Sequence, residues 1–376
     1  MNQSITFQIS NTFKLLYIIA IFMVIDGHIG NFDYLSINGF FRYQNYHIAL
    51  FMFTSGYFLN LNRSYKEFFY RKISHLIIPL YVWNIIYGIV CYILNNYFDF
   101  RIGEEISFYN IFYAPLVEGH QFIFNMASWF LVPLFFVQVI CFVCLKLHSN
   151  NPKDDYRNRV IVLFIISLLL SCLTLPLANQ NLGNASVLLL IFRCIYFLPI
   201  FAFGFMFRHL LEKIDNKINS ILYFMIISCL LYFLYLAFPD YNHTPSWLND
   251  IRVYPLVIYL ICFLSILFWL RIAKIFSPIM YKSKILQYLS DNTFSLMMHH
   301  FVGFMIVKSL LSNYNGFDWY RYKTEIWYYF FPYSEKYFAL IYIVITIVIS
   351  LFIGFTYEKL YSNIKYMLTK MFYQKR

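Results

Sequence analysis

Phe13-Lys14-Leu15-Leu16-Tyr17-Ile18-Ile19-Ala20-Ile21-Phe22-Met23-Val24-Ile25-Asp26-Gly27-His28-Ile29 is an apolar run with one base near its start and Asp26 and His28 near its end. Its length approaches the ~20 mostly apolar residues that a helix needs to cross the bilayer hydrocarbon. It lacks the apolar–polar alternation of a membrane strand. Further runs of the same kind follow, and together they predict ten spans at 13–29, 45–59, 75–98, 128–147, 160–178, 186–207, 220–238, 253–270, 289–311 and 337–355. The second is short and contains Ser55 and Gly56, so a tilted or broken segment is expected there. Asp26 and His28 interrupt the first run and no small-residue cleavage site follows, which reads as a retained span rather than a cleaved leader.

Composition agrees. Of 376 residues, 61% are hydrophobic, 23% aromatic and only 12% charged. Soluble domains carry about 25% charge, so this chain lacks the polar surface to coat two or three soluble globules, and it is too apolar for disorder. The expected fold class is all-α, a polytopic transmembrane bundle of about ten spans forming one domain over 1–376.

The net charge of +11 would suggest nucleic acid in a soluble protein. Here the bases lie between apolar runs, so membrane lipid is the expected partner and nucleic acid is not. With the N-terminus taken as cytoplasmic, 21 of the 29 lysines and arginines fall on inside segments and seven on outside ones. That bias follows the positive-inside rule and predicts that both termini are cytoplasmic. The tail 359–376 mixes bases with Tyr361, Ile364, Tyr366, Met367 and Phe372, a pattern for lying on an anionic inner leaflet.

All seven cysteines fall in apolar spans, which reads as packing and not as a disulfide framework. Cys141 and Cys144 are spaced like a redox or metal pair with His148 one turn on, but no second pair completes a four-ligand set, so no metal is expected.

Ionisable groups inside spans are costly and therefore functional candidates. Asp26 and His28 lie about 200° apart on a helix, so only unwinding at Gly27 would bring both to one site. Arg193 is about 10 Å below the outer end of its span. It is expected either to pair with Asp26 or to meet an anionic ligand, against a plain structural ion pair or snorkelling. His299 and His300 point about 100° apart, so at most one faces a given site; bonding across the bundle is the alternative to a role in chemistry. Outside, the stretch 313–337 interleaves Tyr314, Phe317, Trp319, Tyr320, Tyr322, Trp327 and Phe330 with charges including Glu325. It reads either as an interfacial belt or as a platform for sugar rings.

Six elements in order resemble the acyltransferase-3 family of membrane acyltransferases that modify surface polysaccharides. They are Ile19–His28, a first helix ending in histidine; Leu50–Leu59 with its Phe-x-x-Ser-Gly-Tyr-like element; Arg71–Trp83, basic and proline-containing; Ser128-Trp129-Phe130-Leu131; Phe197-Leu198-Pro199 with Phe203-Gly204; and Thr293–His300. The resemblance covers about 14–310. Three places differ from the family pattern, one of them Met297, which stands where members carry a tyrosine in the late helix. Tyr17 stands where members carry a cation with ten residues between it and the histidine, and Lys14 lies one turn earlier. Lys72-x-x-His75 stands for the family's Arg-x-x-Arg.

The resemblance implies transfer of a short acyl group, acetyl first, from acyl-CoA to a hydroxyl of a cell-surface or lipid-linked glycan, in the cell membrane. Acyl-CoA, acetyl-CoA first, is then a co-substrate and not a resident cofactor. His28 is the implied general base, Asp26 tunes it, and Arg193 assists the oxyanion. Arg71, Lys72, His75 and Lys14 meet the donor, whose arm passes Ser55-Gly56. Trp129, His300, Glu325 and Trp319 meet the acceptor. The rival expectations are a polysaccharide exporter or flippase, and a non-catalytic subunit partnered with glycan-assembly proteins.

Overall fold

The computed structural model describes residues 3–29, 41, 43–147, 157–181, 187–239, 241, 243–246, 248, 254–313, 317–329 and 337–373. His148, Tyr314, Phe330, the expected span limits at 186 and 253, and the side chains of Trp327 and of 364–376 lie outside what is described. The described chain is helical. Its main helices are α1 Gln3–His28, α2 His47–Tyr57, α3 Tyr65–Tyr97, α4 Ile123–Leu147, α5 Arg157–Asn181, α6 Val187–Asp215, α7 Ser220–Ala237, α8 Pro255–Lys282, α9 Lys284–Asp291, α10 Thr293–Leu310 and α11 Tyr337–Tyr373.

Among the described residues nine helices are long and apolar enough to cross a membrane, against ten expected. The difference is α2, which has 11 residues. That is about 16 Å, roughly half of a ~30 Å hydrocarbon layer. A 3₁₀ turn at Tyr43–Asn45 takes up the chain before it. After it, Phe58 and Leu59 turn their amides back to the Thr54 and Gly56 carbonyls, ahead of the polar Asn60 and Asn62.

α2 is held against α6 by direct backbone contact. A Cβ on Gly56 would lie 2.0 Å from the Phe201 carbonyl oxygen, and one on Gly204 would lie 2.0 Å from that of Phe53. Helices in membranes associate through such small residues, because lipid supplies no hydrophobic drive between them. The same device joins α10 to α11, where Gly303 abuts Thr346, Gly354 abuts Ser295, and the Ser295 hydroxyl donates to the Ser350 carbonyl at 2.8 Å. On α11, Tyr342, Thr346 and Ser350 are buried while Leu340, Val344, Val348 and Phe352 point outward. An apolar stripe facing out and small polar groups facing in is the pattern expected of a helix whose solvent is lipid.

Two further boundaries differ from the sequence reading. α3 starts at Tyr65, capped by the Ser64 hydroxyl on the Glu67 amide at 3.2 Å, so Arg71, Lys72 and His75 are helical. Pro79 has no N–H to offer the His75 carbonyl, and the helix widens into a π-turn at Ile73–Ile77. α11 runs on past 355 to Tyr373, so the basic tail begins as helix.

Polar contacts define the two ends of the bundle. At one end Lys14 meets Asp291 at 2.8 Å, Arg271 meets Asp215 at 3.2 Å, Lys146 donates to the Arg63 carbonyl, and Arg208 donates to the Tyr57 carbonyl at 3.0 Å. This is the basic end. His28, His47, Trp129 and Ser246 gather at the opposite, histidine end.

Candidate functional site

At the histidine end a cavity of about 220 Å³ lies between α1, α2, α4, α10 and the segment 244–246. Its walls are Val24, Ile48, Phe51, Ala127, Trp129, Phe130, Pro245 and Met297, and its polar groups come from His28, Gln44, His47, Thr244 and Ser246. Pockets for drug-sized ligands run about 300–1,000 Å³. This one is smaller, with room for part of such a ligand and not the whole.

His28 reaches the cavity because α1 stays helical through Gly27. For the same reason Asp26 faces another way. It is buried, and its Oδ2 accepts a 2.6 Å hydrogen bond from the Tyr43 hydroxyl. Gly27 leaves room for that tyrosine, since a Cβ there would sit 3.1 Å from the Tyr43 ring. Asp26 and His28 thus do not share a small site.

The hydrogen-bond pattern assigns the His28 tautomer. His300 Nδ1 lies 3.1 Å from the Leu296 carbonyl, which accepts only, so Nδ1 carries the proton. The neutral ring then has its lone pair on Nε2, which is 3.2 Å from His28 Nδ1. His28 must donate there. The proton of His28 is on Nδ1, and Nε2 keeps its lone pair. His47 has the same form, with Nδ1 2.9 Å from the Tyr43 carbonyl and Nε2 left as an acceptor. Two imidazoles of matching tautomer therefore line one small cavity.

Trp129 is fixed on every side. Its ring packs at 6.2 Å from Phe197 and 6.3 Å from His120, and the Arg193 guanidinium lies over it at 4.7 Å. Gly119, at φ +77°, lets the loop pass close, since a Cβ there would sit 2.5 Å from the Trp129 Cβ. Burial, with the charge of Arg193 second, lowers the His120 pKa to about 3 and keeps that ring neutral.

The expected Arg193–Asp26 pair does not form. Arg193 Nε donates to the Ser246 carbonyl at 2.8 Å and NH1 to the Glu118 carbonyl at 3.0 Å, with Val117 at 3.4 Å and a further bond from NH2 to Ser246. Fully buried, it satisfies its charge on backbone oxygens behind Trp129 and does not line the cavity. Asp26 is taken by Tyr43 instead.

The structure therefore brings His28, Trp129 and, one layer back, His300 together. Lys14 is at the basic end, ion-paired with Asp291. It lies about 21 Å down α1 from His28, one turn before Tyr17. Ser55 is hydrogen-bonded to Tyr17 between the two ends, and Gly56 is packed on α6. Arg71 and His75 share an exposed stripe with Ile78, Ile85 and Ile89. Glu325 pairs with Arg321 at 2.8 Å on the surface, and Trp319 meets Phe317 edge-to-face at 4.8 Å; neither lines the cavity. His299 is enclosed by Trp83 and bonded to the Tyr87 hydroxyl at 2.6 Å. Among the described residues no three His, Cys, Asp or Glu side chains group as metal ligands would.

His47 was missed in the sequence. Its one signal was a histidine opening an apolar run. Gln44, Thr244 and Ser246 gave none, because only the fold brings 44–47 and 244–246 to the end of α1.

The family model for the acyltransferase domain of the acyltransferase-3 type matches residues 12–355. No curated protein and no solved structure matches the chain.

Proposed function

The chain belongs to the acyltransferase-3 family, and from this membership and the histidine cavity we infer that it moves a short acyl group, acetyl first, from acyl-CoA to a hydroxyl of a cell-surface or lipid-linked glycan. The observation that carries the reading is the relay from the Leu296 carbonyl through His300 to His28, which leaves a lone pair on His28 Nε2 at the cavity.

A hydroxyl attacks a thioester poorly unless a base takes its proton during attack, and a neutral imidazole suits that task. His28 Nε2 accepts the proton as the acceptor oxygen bonds the acyl carbon. The carbon–sulfur bond then breaks, and the thiolate leaves with the proton that His28 returns. As His28 becomes an imidazolium, its Nδ1–H bond to His300 strengthens and holds the ring in place. His47 Nε2 offers a second acceptor, for a neighbouring hydroxyl of the same sugar. Trp129 gives a rigid aromatic wall for a sugar face or the acyl chain. The basic end is cytoplasmic by the lysine and arginine bias, so the donor enters there and the acceptor at the histidine end.

The test compares glycan from cells carrying wild type, His28→Gln and His47→Gln at equal membrane levels. Ester content is read by mass and NMR spectra. His28→Gln should lose about 10²-fold or more, the scale of general-base catalysis, and His47→Gln should lose less. Unchanged esters in His28→Gln remove the base assignment. Normal esters on glycan retained inside the cell replace acyl transfer with export.

A further inference from the structure

The basic end holds a second concavity. A crevice of about 510 Å³ opens between the chain after α2 and the π-turn of α6, lined by Asn60, Asn62, Arg63, Phe205, Arg208 and His209 among others. We propose that this crevice binds a phosphate ester, with Arg63 and Arg208 as its two anion-gripping groups.

Arg208 is held ready. Its NH1 donates to the Tyr57 carbonyl at 3.0 Å, and its guanidinium lies 5.6 Å over the Tyr57 ring. The Tyr57 hydroxyl is in turn fixed to Glu212 at 2.7 Å. Glu212 is thus engaged by the tyrosine, and among the described residues no carboxylate lies within ion-pair distance of Arg208. Its Nε and NH2 point of attachment remains for a ligand. Arg63 makes one long contact, Nε to Glu67 at 3.7 Å, and Glu67 is shared with Arg71 at 3.9 Å. The fork of Arg63 is thereby also unspent.

The charge balance agrees. α2 ends here, and the carbonyls of a helix C-terminus would repel an anion. Arg208 covers the Tyr57 carbonyl, and the Phe58 and Leu59 amides cap two others. What faces the crevice is then two guanidinium groups, an imidazole and two carboxamides. A planar fork matches phosphate oxygens in pairs, which an ammonium does not. By contrast Arg71 and His75 lie on the outward stripe of α3 with apolar neighbours and line no such concavity. A soluble nucleotide bearing phosphates, as in a CoA-type donor, and an anionic phospholipid headgroup present the same chemistry. The charge and shape of the crevice do not depend on the acyl-transfer reading of the other end.

The experiment uses the full chain purified in detergent and in nanodiscs, as wild type, Arg63→Gln, Arg208→Gln, the double variant, Arg63→Lys, Arg71→Gln and His28→Gln. Adenosine 3′,5′-bisphosphate is the soluble probe, followed by calorimetry. Nanodiscs of phosphatidylglycerol against phosphatidylcholine, followed by native mass spectrometry, are the lipid arm. Each single glutamine variant should weaken binding about tenfold or more, Arg63→Lys should fall between, and Arg71→Gln and His28→Gln should bind as wild type. Loss confined to the bisphosphate identifies a soluble ligand, and loss confined to phosphatidylglycerol identifies a lipid. Arg63→Gln alters a part-exposed side chain, so it tests the site even if Arg208→Gln fails to fold. Equal binding by wild type and the double variant in both arms overturns the proposal, as does loss on Arg71→Gln alone.

Discussion

Arg193 and Arg208 both belong to α6, one near each end, and they are used in opposite ways. Arg193 is 1% exposed and spends its donors on the Val117, Glu118 and Ser246 carbonyls with its plane on Trp129. Arg208 is exposed and gives one hydrogen bond to Tyr57. A buried guanidinium must be satisfied by the protein, so it becomes structure. An exposed one beside a crevice keeps its donors for a ligand. The chemistry proposed for the histidine end would thus take place in a small, mostly apolar cavity, and the anion binding proposed for the basic end in an open, charged crevice.

The sharpest way to break this comparison is to remove each arginine and measure unfolding. Arg193→Leu leaves up to three buried carbonyls without a donor, at about 1–3 kcal/mol each, and removes the cation on Trp129, about 0.5–2 kcal/mol. Such a loss approaches the whole stability of many proteins, so little folded protein should be recovered. Arg208→Gln removes one hydrogen bond, about 0.5–1.5 kcal/mol, and should purify with a melting temperature within a few degrees of wild type. Equal losses in thermal unfolding would show that Arg208 is structural too.

Next in size is the contact that ties the two ends together. α2 carries His47 at the cavity and leads into the crevice at Phe58, and it rests on α6 through Gly56 and Gly204. Gly204→Ala drives a methyl to within 2.0 Å of the Phe53 carbonyl oxygen, which cannot yield without moving the helix. Overpacking of this kind costs about 1–3 kcal/mol. The variant should melt lower and lose both ester formation and bisphosphate binding. Loss of ester formation alone, with binding intact, would separate the two ends and remove α2 as their link.

The same residues mark what the sequence can and cannot carry. The long spans were legible because crossing lipid demands a length and a composition, and these are properties of the chain itself. α2 was legible as unusual, through its shortness and its Ser55-Gly56 pair, but not as an 11-residue helix. The depth of Arg193 was readable from its position in a run. Its partners were not, because backbone carbonyls are present at every residue and only the fold decides which three arrive. His28 could be singled out from its place at the end of α1, whereas its tautomer depends on His300, and the Leu296 carbonyl that sets His300 is four residues earlier on another helix. The family resemblance supplied the chemistry, and the cavity supplied the second imidazole, His47.

The effect that vanishes at neutral pH is a titration, and it asks whether the histidine end is as dry around Trp129 as its packing implies. His120 lies outside the spans, stacked by Trp129, with its pKa lowered to about 3 by burial first and by Arg193 second. An unfolded histidine titrates near 6.5. Between those values the unfolded chain binds a proton that the folded chain refuses, so stability rises with pH there. The group therefore costs nothing above about 6.5 and progressively destabilises the fold as pH falls toward 3. His120→Gln should remove at most about one proton from the pH slope of unfolding over the range 6.5 to 4, with no change at pH 8. A slope unchanged by the substitution means that water already reaches the ring in the folded state. The wall behind Trp129 would then be wet like the crevice at the other end, and the contrast between the two arginines would rest on hydrogen bonds alone.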